Sequence, residues 1–243
     1  MSPQTENIEP FVRYKNSILP PKQFRFCGDE FQNDQYYLTS ASKEAQRLID
    51  NFGLTKDSKV LDVGCGMGRL ATGIINVLGD INCYNGIDVS PIAVEWCRLF
   101  IGKGHPNFDF VHLNFSNERY NPGGRTIEEK FRFPFEDDSY DIIYLYSVFS
   151  HMNKEDVAVY LKEFHRVLKP SGKIFLTGFV EEGVPDMTEN PEGYRMKWSG
   201  PLHCVRFDKK YFENLLTVNK FSMDKFDYEN ETDGQSGVYL TSL

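Results

Sequence analysis

The sequence lacks any apolar run approaching the roughly 18 residues that cross a bilayer. Its first residues, MSPQTENIEP, have neither a basic start nor an apolar segment, so no secretory signal is expected there. Cysteine is sparse: Cys27, Cys65, Cys83, Cys97 and Cys204 make an odd number, and no two stand in a CxxC pair. Neither a disulfide framework nor a structural zinc site is expected, and a reducing cytoplasm is the default setting. Positive charge is the minority, with 27 Lys and Arg against 35 Asp and Glu, a net charge of −8. That balance argues against a long nucleic-acid footprint. Paired histidines and carboxylates at metal-ligand spacing are missing too. Asp137-Asp138 reads as a turn, and no metal is expected.

What is present is a folded chain of 243 residues, 40 % hydrophobic and 26 % charged, a size that suits one or two domains. Aromatics are plentiful, and seven of them (Phe11, Tyr14, Phe24, Phe26, Phe31, Tyr36, Tyr37) fall in the first forty residues without a period. Pro20-Pro21 oppose a helix there. Residues 1–38 therefore read as an irregular aromatic arm, either a lid or a cover over a core edge. The rest, residues 39–243, reads as one domain. Thr39, Ser40 and Ser42 are candidate caps for a helix whose apolar face is Ala45, Leu48, Ile49 and Phe52 and which Gly53 stops.

Beyond Gly53, short apolar strands alternate with helical stripes: strands at 59–63, 81–87, 108–113, 140–146 and 173–179, helices between them. Alternation of this kind implies an open, mostly parallel α/β sheet covered on both faces. Asp208 opens a last helix, and two runs, Phe221 to Tyr228 and Gly237 to Leu243, suit an antiparallel pair. Two stretches break the pattern, 115–135 and 180–207, and loops of that length are usually functional or disordered.

The most informative segment is VLDVGCGMGR, from Val60 to Arg69. An apolar strand enters three glycines at alternate positions, and a helix follows. Such glycines turn the chain tightly and let a ligand touch backbone, while the helix N-terminus favours anionic or polar ligand atoms. The dinucleotide pattern GxGxxG fits worse, because Arg69 stands at its third glycine. The second strand ends in Asp88, 20 residues after Gly68. A carboxylate there can accept both hydroxyls of a ribose, or it can cap the next helix with Ser90.

Together VLDVGCGMGRLA, YNGIDVSP, FPFEDDSYDIIYLYSVFSHM and RVLKPSGKIFLTGF resemble the class I S-adenosylmethionine-dependent methyltransferases over roughly residues 45–180. The resemblance implies a Rossmann-like, doubly wound sheet of seven strands, mostly parallel, with an antiparallel last strand. It implies S-adenosylmethionine as cofactor. Gly64, Cys65, Gly66 and Gly68 would cradle its methionine and ribose part, Asp62 would orient the ammonium, and Asp88 would hold the ribose with Val89 against the adenine. Asn114, where many members carry Asp, and Phe115 would meet the adenine. Leu145, Tyr146 and Ser147 would line the methyl-donor side. In the arm, Tyr14, Arg25 and Phe26 are placed to close over the cofactor, with Arg25 a candidate for the methionine carboxylate and Tyr14 and Ser147 candidate substrate contacts.

Transfer from a sulfonium needs a base only when the nucleophile carries a proton. His151, just past the fourth strand, is the candidate base, or else it fastens the strand-to-helix turn. His203 in the second loop is a candidate substrate contact. His105, His112 and His165 read as structural. The expected function is methyl transfer to a small-molecule acceptor, with no nucleic acid and no membrane as partner. A protein methyltransferase and a non-catalytic S-adenosylmethionine-binding protein are the alternatives, with a nicotinamide oxidoreductase further off. The acceptor atom and the oligomeric state are not legible.

Overall fold

The computed structural model describes residues 9–26, 28–126 and 131–243. Residues 1–8 and Cys27 of the arm, and 127–130 of the first loop, lie outside the described residues.

The arm is more regular than its sequence implies. Strands β1 (Val12–Tyr14) and β2 (Ser17–Leu19) form an antiparallel hairpin, followed by two short helical turns. Helix α1 (Asp34–Phe52) then begins within the stretch expected to be irregular, ahead of Thr39, Ser40 and Ser42. Its cap is Asn33, whose side chain accepts the Tyr36 N–H, and Gly53 ends it in the left-handed region at φ 71°.

The central elements follow the alternation: β3 (Lys59–Val63), α2 (Arg69–Leu78), β4 (Cys83–Asp88), α3 (Pro91–Cys97), β5 (Phe108–His112), β6 (Tyr140–Leu145), α4 (Lys154–Val167) and β7 (Leu168–Glu181). Next come β8 (Met187–Glu189), β9 (Val205–Asp208), α5 (Lys209–Val218), β10 (Phe221–Asp227) and β11 (Ser236–Ser242). The main sheet has the order β10-β11-β7-β6-β3-β4-β5. The pairs among β3 to β7 are parallel, and β11 runs antiparallel to both neighbours. The seven-stranded, Rossmann-like sheet with its antiparallel last strand is therefore present. One addition departs from it: β9 pairs in parallel with the end of β7, and β8 pairs with β9, so part of the 180–207 stretch extends the sheet.

Alternation along β3 divides the core in two. Leu61 and Val63 face a cluster with Leu161 and Phe164 of α4 and Phe212 and Leu216 of α5. Val60 faces the other cluster, with Leu48 of α1, Ile74 of α2 and Val94 of α3. Chain order reverses at β3, with β4 on one side and β6 on the other. A crevice at the carboxyl ends of such neighbouring strands is where open α/β sheets bind ligands.

Helices α1 and α2 meet at backbone distance. A Cβ at Gly73 would stand 1.9 Å from the Ala41 carbonyl oxygen. Gly73→Ala is therefore expected to push the helices apart and cost about 1–3 kcal/mol of stability in a thermal or urea melt. Gly123→Ala, where a Cβ meets nothing within 4 Å, is the control and is expected to stay within about 0.5 kcal/mol of wild type.

Candidate cofactor and acceptor site

Three left-handed residues shape the turn after β3: Gly64 (φ 70°), Gly66 (φ 49°) and Gly68 (φ 72°). The Gly64 and Cys65 N–H groups both donate to the Ile87 carbonyl on β4, at 2.8 and 3.1 Å. The three glycines differ in what surrounds them. A Cβ at Gly64 would strike Val148, and one at Gly68 would strike Ile101, each at 2.5 Å, whereas at Gly66 nothing lies within 4 Å. Gly66 thus combines a turn only glycine adopts easily with open space above its backbone.

Asp88 holds this turn in place. Its Oδ2 accepts the Gly66 N–H at 2.8 Å, and its Oδ1 accepts the Ser90 N–H at 2.7 Å. Burial pushes the Asp88 carboxyl up, and these backbone hydrogen bonds counter it. Helix α3 is capped by the Ser90 side chain, which accepts the Ala93 N–H. A carboxylate has about four acceptor directions, and the Gly66, Ser90 and Val89 N–H groups take three, which leaves one for a hydroxyl. The adjoining Val89 carbonyl meets His112 Nε2 at 3.1 Å.

Asp62 lies deeper, 2 % exposed, and accepts a hydrogen bond from the Tyr84 hydroxyl. Burial raises its carboxyl to about 7, opposed by that hydrogen bond and by the Arg69 charge. Cys65 turns its side chain into the core: a Cβ at Gly86 would lie 3.0 Å from Cys65 Sγ. The Cys97 side chain and burial raise the Cys65 thiol, so its contribution to the crevice is backbone.

At the end of β6, Leu145 is 0 % exposed, inside the α4 and α5 core. Its expected place against the methyl donor therefore reduces to its main chain. The Tyr146 hydroxyl lies 2.7 Å from Thr232 Oγ1, and burial lifts its pKa to about 12. Ser147 adopts φ 59°. Its N–H donates to Thr177 Oγ1 (2.8 Å), and its hydroxyl accepts from Gln235 Nε2 (2.9 Å) and lies 3.1 Å from Ser150 Oγ.

His151 stands where the two long loops meet. Its Nδ1 lies 3.0 Å from the Leu202 carbonyl oxygen, so Nδ1 carries the proton and Nε2 the lone pair. Asn117 of the first loop donates to the His151 carbonyl at 2.9 Å, and the Tyr120 ring packs edge-on at 5.4 Å. Burial lowers the imidazole to about 4, and the Arg119 charge adds to this. His151 is therefore neutral at pH 7. His203 is engaged within its own loop: Ser199 donates its N–H to Nδ1 at 3.0 Å, and the Trp198 ring lies 5.1 Å away.

The arm residues have structural work. Arg25, 3 % exposed, donates to the carbonyls of Pro20 (2.9 Å) and Phe31 (3.3 Å), pairs with Asp34 (2.8 Å) and lies over Tyr37. Only its second terminal nitrogen is without a partner. The expectation that Arg25 takes the methionine carboxylate meets a guanidinium already committed to fastening the arm. Tyr14 packs against the small cluster of Leu19, Phe31, Tyr37 and Leu38. Asn114 Oδ1, the expected adenine acceptor, accepts from Asn121 at 3.2 Å, and the Phe115 ring packs on Phe131 at 4.5 Å.

Tyr84 and Arg69 had not been singled out from the sequence. The signal for Tyr84 was register: it pairs with Val60 and Gly86 pairs with Asp62, so Tyr84 and Asp62 share a face. Nothing local marked Arg69.

Residues 60–172 match the family model Methyltransf_25, described as a methyltransferase domain. That match covers less than half of the chain, and what it shows is a resemblance to methyltransferase domains. S-adenosylmethionine is the methyl donor of the class I methyltransferases that the segment resembles, and the open face of Gly66 beside Asp88 fits such a ligand. A demethylmenaquinone methyltransferase of Chlorobaculum parvum is 30 % identical over 198 residues, covering 81 % of this chain; the chain spans 64 % of that protein. Among solved structures, a magnesium protoporphyrin IX methyltransferase from Synechocystis shares 13 % identity over 91 % of this chain and 90 % of its own, with a TM-score of 0.58. A [4+2]-cyclase shares 16 % over 83 % and 80 %, with a TM-score of 0.55. At such identities the likeness is one of fold.

Two outcomes follow for cofactor binding. Asp88→Ala is expected to weaken S-adenosylhomocysteine binding by about 2 kcal/mol or more in calorimetry; unchanged affinity would remove Asp88 from the ribose role. Binding a ligand ammonium favours ionised Asp62, so affinity is expected to fall as pH drops below about 7. Calorimetry at pH 6 in buffers of different ionisation enthalpy should show proton release, and Asp62→Asn should abolish it.

Proposed function

We propose that the chain transfers a methyl group from S-adenosylmethionine to a small-molecule acceptor. The observation that supports this most is Gly66: a left-handed backbone open to solvent, tied to a carboxylate with an acceptor direction to spare. Gly64, Gly66 and Gly68 would receive the cofactor, Asp88 its ribose and Asp62 its ammonium. When bound, the cofactor supplies a methyl on a sulfonium, whose departure leaves a neutral thioether.

The chain's own part is to hold the acceptor in line and keep water out. Material for an acceptor pocket lies in the two long loops, which meet at His151. The second contributes an aromatic cluster, with Trp198 and Tyr194 rings 5.4 and 5.8 Å from Phe179. Such walls suit a partly apolar small molecule. The demethylmenaquinone methyltransferase relatives accord with that class.

With a hydroxyl acceptor, His151 Nε2 is the base in reach of these loops. Its low pKa, about 4, makes the base available throughout the neutral range but weak.

The direct test measures S-adenosylhomocysteine formation against panels of small acceptors and intact proteins. Turnover with small acceptors supports the proposal; turnover on protein alone overturns the acceptor class, and cofactor binding without any turnover overturns the enzyme reading. Once a hydroxyl acceptor is found, His151→Ala is expected to lower kcat by roughly 10²-fold, and wild-type kcat to stay flat from pH 6 to 8. A mutant of near-normal kcat that melts early would make His151 a fastener of the turn.

A further inference from the structure

The first long loop holds a cation whose buried nitrogen no described residue takes up. Just past β5 the chain folds back on itself: Asn117 and Asn121 exchange hydrogen bonds from N–H to carbonyl, at 3.2 and 2.8 Å. The Asn117 side chain fastens this turn twice over. Its Oδ1 accepts the Arg119 and Tyr120 N–H groups at 3.1 and 3.0 Å, and its Nδ2 donates to the His151 carbonyl at 2.9 Å. Arg119 therefore sits at the middle of a closed turn that is itself pinned to His151.

The guanidinium of Arg119 is left over from this arrangement. It lies 5.5 Å from the centre of the Tyr120 ring, a contact that occupies no N–H. Its Nε is buried and has no hydrogen-bond partner among the described residues. The charges that bear most on His151 are those of Arg119 and His203, both of one sign. Asp233, in the last hairpin, is set against His203 instead. A buried N–H without an acceptor costs stability, so a turn that holds one in place points to an acceptor that arrives with a ligand. Nε and a terminal nitrogen form one edge of the guanidinium fork, which meets both oxygens of a carboxylate at once.

The second loop brings apolar surface to the same place. His203 packs against Trp198 at 5.1 Å, and Trp198 against Phe179 at 5.4 Å. A cation from one loop and aromatic rings from the other thus approach one histidine. We propose that Arg119 anchors a carboxylate of the methyl acceptor, so that the acceptor is a partly apolar organic acid. This assignment rests on the reading of the two loops as the acceptor site. It divides the work around His151: Arg119 fixes the molecule by its charge, and the neutral imidazole is left for the atom that receives the methyl group.

The test uses benzoate, cinnamate, 1-naphthoate and octanoate, each beside its primary amide, which keeps the shape and removes the charge. Binding is read by calorimetry on protein saturated with S-adenosylhomocysteine. At least one acid is expected to bind about tenfold or more tighter than its amide. Arg119→Gln is expected to bring that ratio down to about twofold or less, with S-adenosylhomocysteine affinity retained. Arg119→Lys, which keeps the charge without the fork, should keep only part of the preference, and the drop is read from this variant if Arg119→Gln lacks a native circular dichroism spectrum. Acids bound no better than their amides, or a preference that survives the substitution, overturn the assignment. Protein that takes up S-adenosylhomocysteine but none of the probes overturns the acceptor-site reading and the anchor with it, and the two failures are thereby distinct.

Discussion

The Asp88 carboxylate is the constraint on which the crevice depends. Through the Gly66 and Ser90 N–H groups it ties the tip of the glycine turn to the start of α3. The turn is fixed further by the Ile87 carbonyl, one residue before Asp88, which accepts the Gly64 and Cys65 N–H groups. One end of one strand therefore sets where the cradle sits, what charge it presents and where the next helix begins. A partly buried carboxylate is held there because backbone donors offset the lost water. The two roles weighed for Asp88 are not rivals: it organises the helix entry and keeps an acceptor direction for a ligand.

Much of the fold was legible because it follows from local rules. The alternation of apolar strand and amphipathic helix, the glycines after β3 and the acid ending β4 are features of short windows, and the strand order follows from how such units wind. The arm was harder. Its aromatics have no period, because they pack on one another and on α1 (Phe31 against Tyr36 and Tyr37) rather than along a regular face. Thr39, Ser40 and Ser42 stand nearer the apolar stripe than the actual cap Asn33, because α1 runs for five residues, about 1.4 turns, before them. The extension by β8 and β9 was hidden because three- and four-residue strands leave almost no alternation to read.

Polar pairings remote in sequence were the least legible. Tyr144 donates to Glu44, one hundred residues away, at 3.0 Å, while Arg47 bridges to Glu231 between β10 and β11. The first attaches α1 to β6 and the second attaches it to the last hairpin, and no spacing announces them. The same holds for Arg25 and Arg69. One sequence carries both guanidinium groups near aromatic residues; only their surroundings show that the first is bound to arm carbonyls and Asp34 while the second lies by the Tyr146 and Phe31 rings and donates to Ser40 of α1. A guanidinium does what its nearest acceptors require, and those are set by tertiary structure.

On the side of the second loop, the clasp on His151 is made of main chain. Leu202 contributes its carbonyl oxygen, and Asn117 reaches the histidine's own carbonyl. Side chains along the second loop can therefore be exchanged without releasing the imidazole or switching its tautomer. This separates two kinds of inheritance. The backbone course of the loop preserves the orientation of the histidine, while the loop's side chains are free to vary.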